Sequence, residues 1–336
     1  MKNCITKLKQ HENLGPQEIE AVMQTIMSGK APERDIEDFL LALREKGPTV
    51  EEITGAARIM REFVIRIPTK HEVILDTCGT GGDKKNTFNI STIAALVVAA
   101  AGVVVAKHGN RSVSSRCGSA DLLEALGINL NLDEEKLSTC LDEISIAFLF
   151  AQRLHPAMKN VAPVRKRLGV ETIFNVLGPL TNPAMATHQM MGVYNRDLVE
   201  PMAYVLQNLG LKKAMVVHGS DGLDEVTTTG VTFVSEFDGK TVSNYTIDPV
   251  ELKLELAEAN DLEGGDLSTN VFLAKEILKG KKCPQRDIVV LNAAGALYIS
   301  EVVKNFSKGI TLANEVIDSG QARKKLEALK EFTNKA

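Results

Sequence analysis

The chain has no tryptophan and only four tyrosines beside eleven phenylalanines in 336 residues. Rows of aromatic platforms for stacking single-stranded nucleic acid are therefore excluded. Five cysteines, Cys4, Cys78, Cys117, Cys140 and Cys283, include no CxxC pair, and an odd number at such spacings makes neither a disulfide framework nor a zinc site. Charge of one sign is also lacking, since 39 basic residues face 43 acidic ones for a net −4, which argues against a protein that coats a polyanion. The longest apolar run, 93–106, is shorter than the ~18 residues a spanning helix needs. The N-terminal stretch MKNCITKLKQ has no continuous apolar segment of the signal-peptide kind. These absences lead to the expectation of a cytoplasmic protein with neither membrane nor nucleic acid as partner.

What is present is ample apolar material, 44 % of residues, in a chain past the length at which one core stops growing, so a large domain and a smaller one are expected. The first sixty-odd residues read as helices. Ile19, Val22, Met23, Ile26 and Met27 follow a 3.6-residue period that stops at Gly29, and Ile36, Phe39, Leu40 and Leu43 repeat it before Gly47-Pro48. Thr49 and Glu52 form a capping box that opens a third helix. After Pro68 the pattern changes to a short apolar run at 73–75, a glycine cluster, an apolar helix from about 91 to 101, and a second buried strand at 103–105. Further strand-like runs lie at 214–217, 231–234 and 288–291, with helical patterns near 120–127, 134–144, 197–209 and 269–279. Alternating helices and buried strands indicate an α/β domain with a mostly parallel central sheet. The expected division is a helical domain at 1–68, to which 160–185 returns, and a large α/β domain at 69–336.

Gly79-Thr-Gly-Gly-Asp83 places three glycines in four positions between a strand and a helix, which lets the backbone approach an anion closely. It is not a P-loop, because no Gly-Lys-Ser/Thr closes it. A bare turn is the alternative, but Asn89-Ile-Ser-Thr92 follows with polar groups at the start of the next helix, where anions bind. Lys107-His-Gly-Asn-Arg-Ser-Val-Ser-Ser115 interleaves cations, an amide and hydroxyls just past a buried strand, where α/β proteins hold ligands; its bland reading is a solvated loop. A second basic stretch runs to Arg165-Lys-Arg167, whose three consecutive cations cannot share one helix face. Asp224 and Glu225 follow another strand. With no His or Cys beside them, they suit a hard cation held by oxygen, most plausibly Mg²⁺, or else a turn with exposed acids.

Taken in order, these segments closely resemble the anthranilate phosphoribosyltransferase family. The residues carrying the likeness are Asp76-Thr-Cys-Gly-Thr-Gly-Gly-Asp83, Asn86-Thr-Phe-Asn-Ile-Ser-Thr92, 107–115, Gly118-Ser-Ala-Asp121, His155-Pro-Ala-Met-Lys159, Pro163-Val-Arg165, Asn175-Val-Leu-Gly-Pro-Leu-Thr-Asn-Pro183 and Asp221-Gly-Leu-Asp-Glu225. The resemblance implies a nucleoside phosphorylase/phosphoribosyltransferase-like fold and transfer of a phosphoribosyl group from phosphoribosyl pyrophosphate to anthranilate. It implies a donor site of Gly79, Gly82, Asp83, Thr87, Asn89, Ile90, Ser91, Thr92, Lys107, His108, Gly109, Asn110, Arg111, Ser112, Val113, Ser114, Ser115 and Ser119. Gly79, Asn110 and Arg165 would face anthranilate, with His108 and His155 along its path. Ser91, Asp224 and Glu225 would hold Mg²⁺, as two ions, in a homodimer that could associate with anthranilate synthase. No residue is implied as a classical acid or base. The sequence departs from the family pattern at Cys117, where serine is expected, and at Gln152-Arg153, where a Pro-containing turn is expected.

Two other readings share the fold. A pyrimidine nucleoside phosphorylase would use inorganic phosphate and would not need the Asp224-Glu225 pair. A non-catalytic nucleic-acid-binding relative would need a dominant basic surface, against the net charge of −4.

Overall fold

The computed structural model describes residues 1–111 and 117–335. Four helices come first, α1 (Lys2–Lys9), α2 (Pro16–Met27), α3 (Glu33–Lys46) and α4 (Val50–Glu62). The first is one more than the periodicity indicated. The capping box forms as expected. Glu52 N donates to Thr49 Oγ1 at 3.2 Å, and Glu52 Oε2 accepts Thr49 N at 2.8 Å. Glu52 is fully buried; it also accepts Leu14 N and pairs with Lys46 Nζ, both at 2.8 Å, so this carboxylate ties α3, α4 and the α1–α2 turn together.

The remainder alternates strands and helices. It runs through β1 (Ile74–Gly79), α5 (Ile90–Ala100), β2 (Val104–Gly109), α6 (Ser119–Ala125), α7 (Glu134–Ile144) and β3 (Ile146–Phe150). The short helices α8 (Ala151–Leu154), α9 (Ala162–Leu168) and α10 (Phe174–Leu177) follow. Then come β4 (His188–Gly192), α11 (Val199–Asn208), β5 (Lys213–Gly219), β6 (Thr232–Phe237) and β7 (Val242–Ile247), before α12 (Leu267–Leu278), α13 (Pro284–Ile299), α14 (Phe306–Asp318) and α15 (Gln321–Asn334). The apolar run at 288–291, read as a strand, lies inside α13. That helix is buried nearly all round, so its apolar residues show no helical stripe within a short window.

Among the described residues seven strands form one sheet in the order β3-β2-β1-β4-β5-β6-β7. β1 through β5 are parallel; β6 and β7 are antiparallel additions at one edge. Successive strands run outward on one side from β1 to β3, then return to its other flank at β4. The order therefore reverses between β1 and β4, and the carboxyl ends of these two strands open onto the crevice where such sheets bind ligands. Two apolar clusters support this frame. One packs α5, α13 and α15 against the sheet. The other joins the N-terminal helices to α9, α10 and α11 and to Met191, Val193, Ala214 and Val216 of the sheet side. Among the described residues no helix is long and apolar enough to cross a membrane.

Candidate active site

Gly79 and Gly192 are Cα partners at the carboxyl ends of β1 and β4, directly at the switch point. A Cβ on Gly79 would overlap the Asp224 carboxylate, and a Cβ on Gly192 would overlap the Asp224 main-chain oxygen. Glycine at both positions is what lets the acidic segment cross the strand ends. Past Gly79 the loop turns through positive φ at Gly81 (62°) and Gly82 (84°), and Lys84 and Asn86 also lie in the left-handed region. Gly81 N donates to Asp224 Oδ2 at 2.8 Å, Thr80 N to Gly192 O at 2.9 Å, and Lys85 N to Asp83 Oδ1 at 3.2 Å. Thr87 forms an isolated bridge with Glu263, closing the far end of the loop.

At the start of α5, Ser91 N donates to Glu225 Oε1 at 3.2 Å, so an acidic side chain sits on the helix N-terminus as the dipole favours. Ile90 is core, and its N–H is taken by Phe88 O at 2.8 Å. Thr92 is 2 % exposed, and its hydroxyl has no hydrogen-bond partner among the described residues. Asn89 is bound from both sides, with its N–H on Asn270 Oδ1 and its Nδ2 on Cys117 O. Cys117 Sγ donates to Asn89 Oδ1 at 3.3 Å, a role a serine hydroxyl could also fill.

Lys107, near the end of β2, is 3 % exposed; its Nζ donates to Thr77 O at 2.5 Å and to Ser91 Oγ at 3.3 Å. Burial pushes its pKa down, while Asp76, Glu225 and Asp224 favour its charged form. Asp224 and Glu225 are pushed up, first by burial and then by neighbouring carboxylates, Asp83 on Asp224 and Asp224 on Glu225. Two half-buried acids, each beside another carboxylate, are a pair that gains from a cation. Their donors, with the Ser91 hydroxyl nearby, are all oxygen, which suits Mg²⁺. Among the described residues there is no group of three or more His, Cys, Asp or Glu of the kind that holds a metal through protein side chains alone. Mg²⁺ commonly binds one or two carboxylates plus substrate phosphates, so the pair fits that mode.

His108 and His155 meet Nε2 to Nε2 at 3.0 Å. Burial pushes His108 down to about 3 and His155 to about 4, so both rings are neutral near pH 7 and one N–H serves the pair. Gly109 lies under Ser119 and Phe148, and Ser119 Oγ donates to Asn110 O at 3.2 Å. Arg111 is turned onto α6, paired with Asp121 at 2.8 Å and Glu124 at 2.9 Å. Its guanidinium faces that helix. Ser112, Val113, Ser114 and Ser115 lie outside the described residues. Arg165, on α9, has its guanidinium 5.6 Å over the Phe174 ring and 3.4 Å from Asn175 Oδ1.

The sequence reading assigned no role to the layer beneath. Asp76 is fully buried in β1 and accepts Asn182 Nδ2 at 2.7 Å, His108 N at 3.1 Å and Cys78 Sγ at 3.2 Å. An aspartate inside an apolar strand was the available signal. Asn292 on α13 and Gly192 are the other unassigned members of the site.

A helical bundle thus stands beside a sheet whose switch point carries a glycine loop, a buried lysine and an acidic pair. Residues 2–64 match the model described as "Glycosyl transferase family, helical bundle domain", and residues 71–323 match "Glycosyl transferase family, a/b domain". The chain is 51 % identical over 334 residues to an anthranilate phosphoribosyltransferase of Acetivibrio thermocellus, covering 99 % of this chain and 97 % of that one. It is 52 % identical over 332 residues to the same enzyme of a Thermoanaerobacter species, covering 99 % and 98 %. The solved anthranilate phosphoribosyltransferase of Thermus thermophilus superposes with a TM-score of 0.94 at 42 % identity, covering 99 % of both chains. That of Saccharomyces cerevisiae, in complex with PRPP and Mg, superposes at 0.91 with 29 % identity, covering 98 % and 97 %. This chain belongs to the anthranilate phosphoribosyltransferase family.

Proposed function

We infer that the enzyme transfers the 5-phosphoribosyl group of phosphoribosyl pyrophosphate to the amine of anthranilate, releasing pyrophosphate, as a step of tryptophan biosynthesis. One juxtaposition carries the reading. The glycine loop, the start of α5, Lys107 and the Asp224-Glu225 pair converge at the β1/β4 switch point.

The site residues support a division of labour. Main-chain N–H groups of the loop and the polar groups of Asn89, Ser91 and Thr92 suit the donor's phosphates, and the 107–119 segment would complete that site. Asp224, Glu225 and Ser91 would hold Mg²⁺, as two ions per chain. When bound, the metal neutralises charge on the departing pyrophosphate. Lys107 adds a fixed positive charge in a buried setting, where it stabilises developing negative charge more than it would in water. Arg165 would bind the acceptor carboxylate through its planar fork, with Phe174 and Asn175 setting its orientation. The aromatic amine is neutral at pH 7 and already carries its lone pair. Bond formation at ribose C1 therefore requires aim more than a base, and no nucleophile–base dyad is needed. The family resemblance extends the proposal to a cytoplasmic homodimer and an association with anthranilate synthase, and the sequence pattern to a helical domain at 1–68 with a contribution from about 160–185, beside a large domain at 69–336.

The test is anthranilate consumption by the purified enzyme supplied with phosphoribosyl pyrophosphate, with and without Mg²⁺, with pyrophosphate counted. Consumption that needs both, with equimolar pyrophosphate, is expected. No consumption by folded protein that binds the donor would assign another acceptor. Cleavage of a pyrimidine nucleoside by inorganic phosphate would support the phosphorylase instead.

A further inference from the structure

Asp224 and Glu225 are half-buried on an irregular segment whose flanking residues lie inside the protein. Leu223, Val226 and Thr227 are each at most 2 % exposed. Buried backbone of this kind must find partners for its N–H and C=O groups. Before the pair, Gly219 N donates to Leu223 O at 2.9 Å, and after it, Thr227 N donates to Thr232 Oγ1 at 3.0 Å. At Val226, directly beside Glu225, the partner comes from a distant part of the chain. Asn292 Oδ1 accepts Val226 N at 3.0 Å, and Asn292 Nδ2 donates to Val226 O at 2.8 Å. The second Nδ2 hydrogen goes to Ile288 O, also at 2.8 Å.

One side chain thus does for Val226 what a neighbouring strand would do, satisfying both of its main-chain groups at once. Asn292 is 2 % exposed in a helix whose neighbouring buried positions are apolar. A buried amide is costly unless it is bonded, and this one is placed where its bonds fix the main chain of the acidic pair. On the other side, Gly192 admits the Asp224 carbonyl against the end of β4. The segment is held between these two contacts.

We propose that Asn292 is a positioning residue of the transfer reaction, holding Asp224 and Glu225 in the place from which their carboxylates receive the divalent cation. It acts through the Val226 main chain and touches no substrate. The proposal rests on the reading that this pair is the metal site.

Asn292→Leu keeps the branched shape and removes all three bonds, while Asn292→Ser is the milder change that cannot bridge both groups of Val226. Mg²⁺ binding to the donor-loaded protein is measured by titration calorimetry beside rates against Mg²⁺ concentration at saturating donor and anthranilate KM at saturating Mg²⁺, with thermal melts to establish folding. Half-saturating Mg²⁺ should rise about tenfold or more in the leucine variant, in line with the cost of a small misplacement. It should rise by about three- to tenfold in the serine variant, with anthranilate KM within about twofold of wild type. Asp224→Asn with Glu225→Gln is run beside them. If the double variant loses its Mg²⁺ dependence while both Asn292 variants titrate like wild type, the positioning role is overturned and the metal site stands. If the double variant titrates like wild type, the metal-site reading fails and the positioning role with it. A parallel rise in anthranilate KM would mark a general structural part for Asn292 and would also overturn the proposal.

Discussion

Gly79→Ala is the smallest perturbation aimed at the centre of the site. The new methyl would lie on the Asp224 carboxylate, with Asp224 Cγ at 3.1 Å and its main-chain oxygen at 3.4 Å. Little around it can yield. Gly79 is laddered to Gly192 in the sheet interior, and the Asp224 carboxylate is held from the loop by Gly81 N at 2.8 Å. The carboxylate must therefore swing away and give up that bond, a charge-assisted one worth about 1.5–3 kcal/mol. A shift of about 1 Å in a reacting group costs on the order of 100-fold, or about 2.7 kcal/mol at the barrier. The expected result is a fall in rate of about that size at limiting Mg²⁺, with a loss in unfolding free energy of about 1–3 kcal/mol from overpacking. Gly15→Ala is the control, since its nearest neighbour would be Glu18 Oε2 at 3.7 Å, an ordinary contact. The assay is the initial rate across a Mg²⁺ titration, paired with urea unfolding. A folded Gly79→Ala protein with rate and Mg²⁺ dependence within twofold of wild type would refute the placement of Asp224 as part of the working site.

Arg165→Ala should raise anthranilate KM by roughly 10- to 100-fold with a smaller change in kcat, because a charged fork is lost from ground and transition states alike; an unchanged KM in steady-state kinetics would remove its anchoring role. Glu52→Ala should destabilise the protein by about 3–5 kcal/mol in urea unfolding, since the Lys46 side chain, only 4 % exposed, loses its counter-ion, and the buried Leu14 N–H and half-buried Thr49 N–H lose their acceptor; a loss under 1 kcal/mol would contradict this. The folded-state pKa values of His108 and His155, about 3 and about 4, lie below the ordinary value of 6.5, so the stability they contribute is present above pH 6.5 and is lost as pH falls from there towards 4. Urea midpoints measured from pH 8 down to 5 should decline for the wild type and decline less for His108→Asn; identical profiles would show that this pair does not titrate as placed.

The glycine cluster was legible because its backbone chemistry is local, and so was the Thr49–Glu52 box, whose two bonds join residues three apart. β4 was not visible because His188-Gln-Met-Met-Gly192 has no β-branched residue and takes its strand form from β1 and β5 on either side. Arg111 belongs to the cationic loop expected to bind the donor, and its pairing with Asp121 and Glu124 of α6 is visible only in the fold. Gly192 and Asn292 matter only through what crosses above them, and no window along the chain contains both partners. Asp76 sits inside a quoted motif, but its acceptor role depends on Asn182, more than a hundred residues away.

The core that holds the four N-terminal helices also contains Val164 and Leu177 from the middle of the chain and Val216 and Phe237 from beyond it. During synthesis these helices leave the ribosome before the residues that complete their core, the last of which, Phe237, lies 175 positions beyond the end of α4 at Glu62. The N-terminal helical segment is thus completed late, and a nascent chain halted near residue 70 would lack the Val164, Leu177, Val216 and Phe237 side chains that share its core in the finished enzyme.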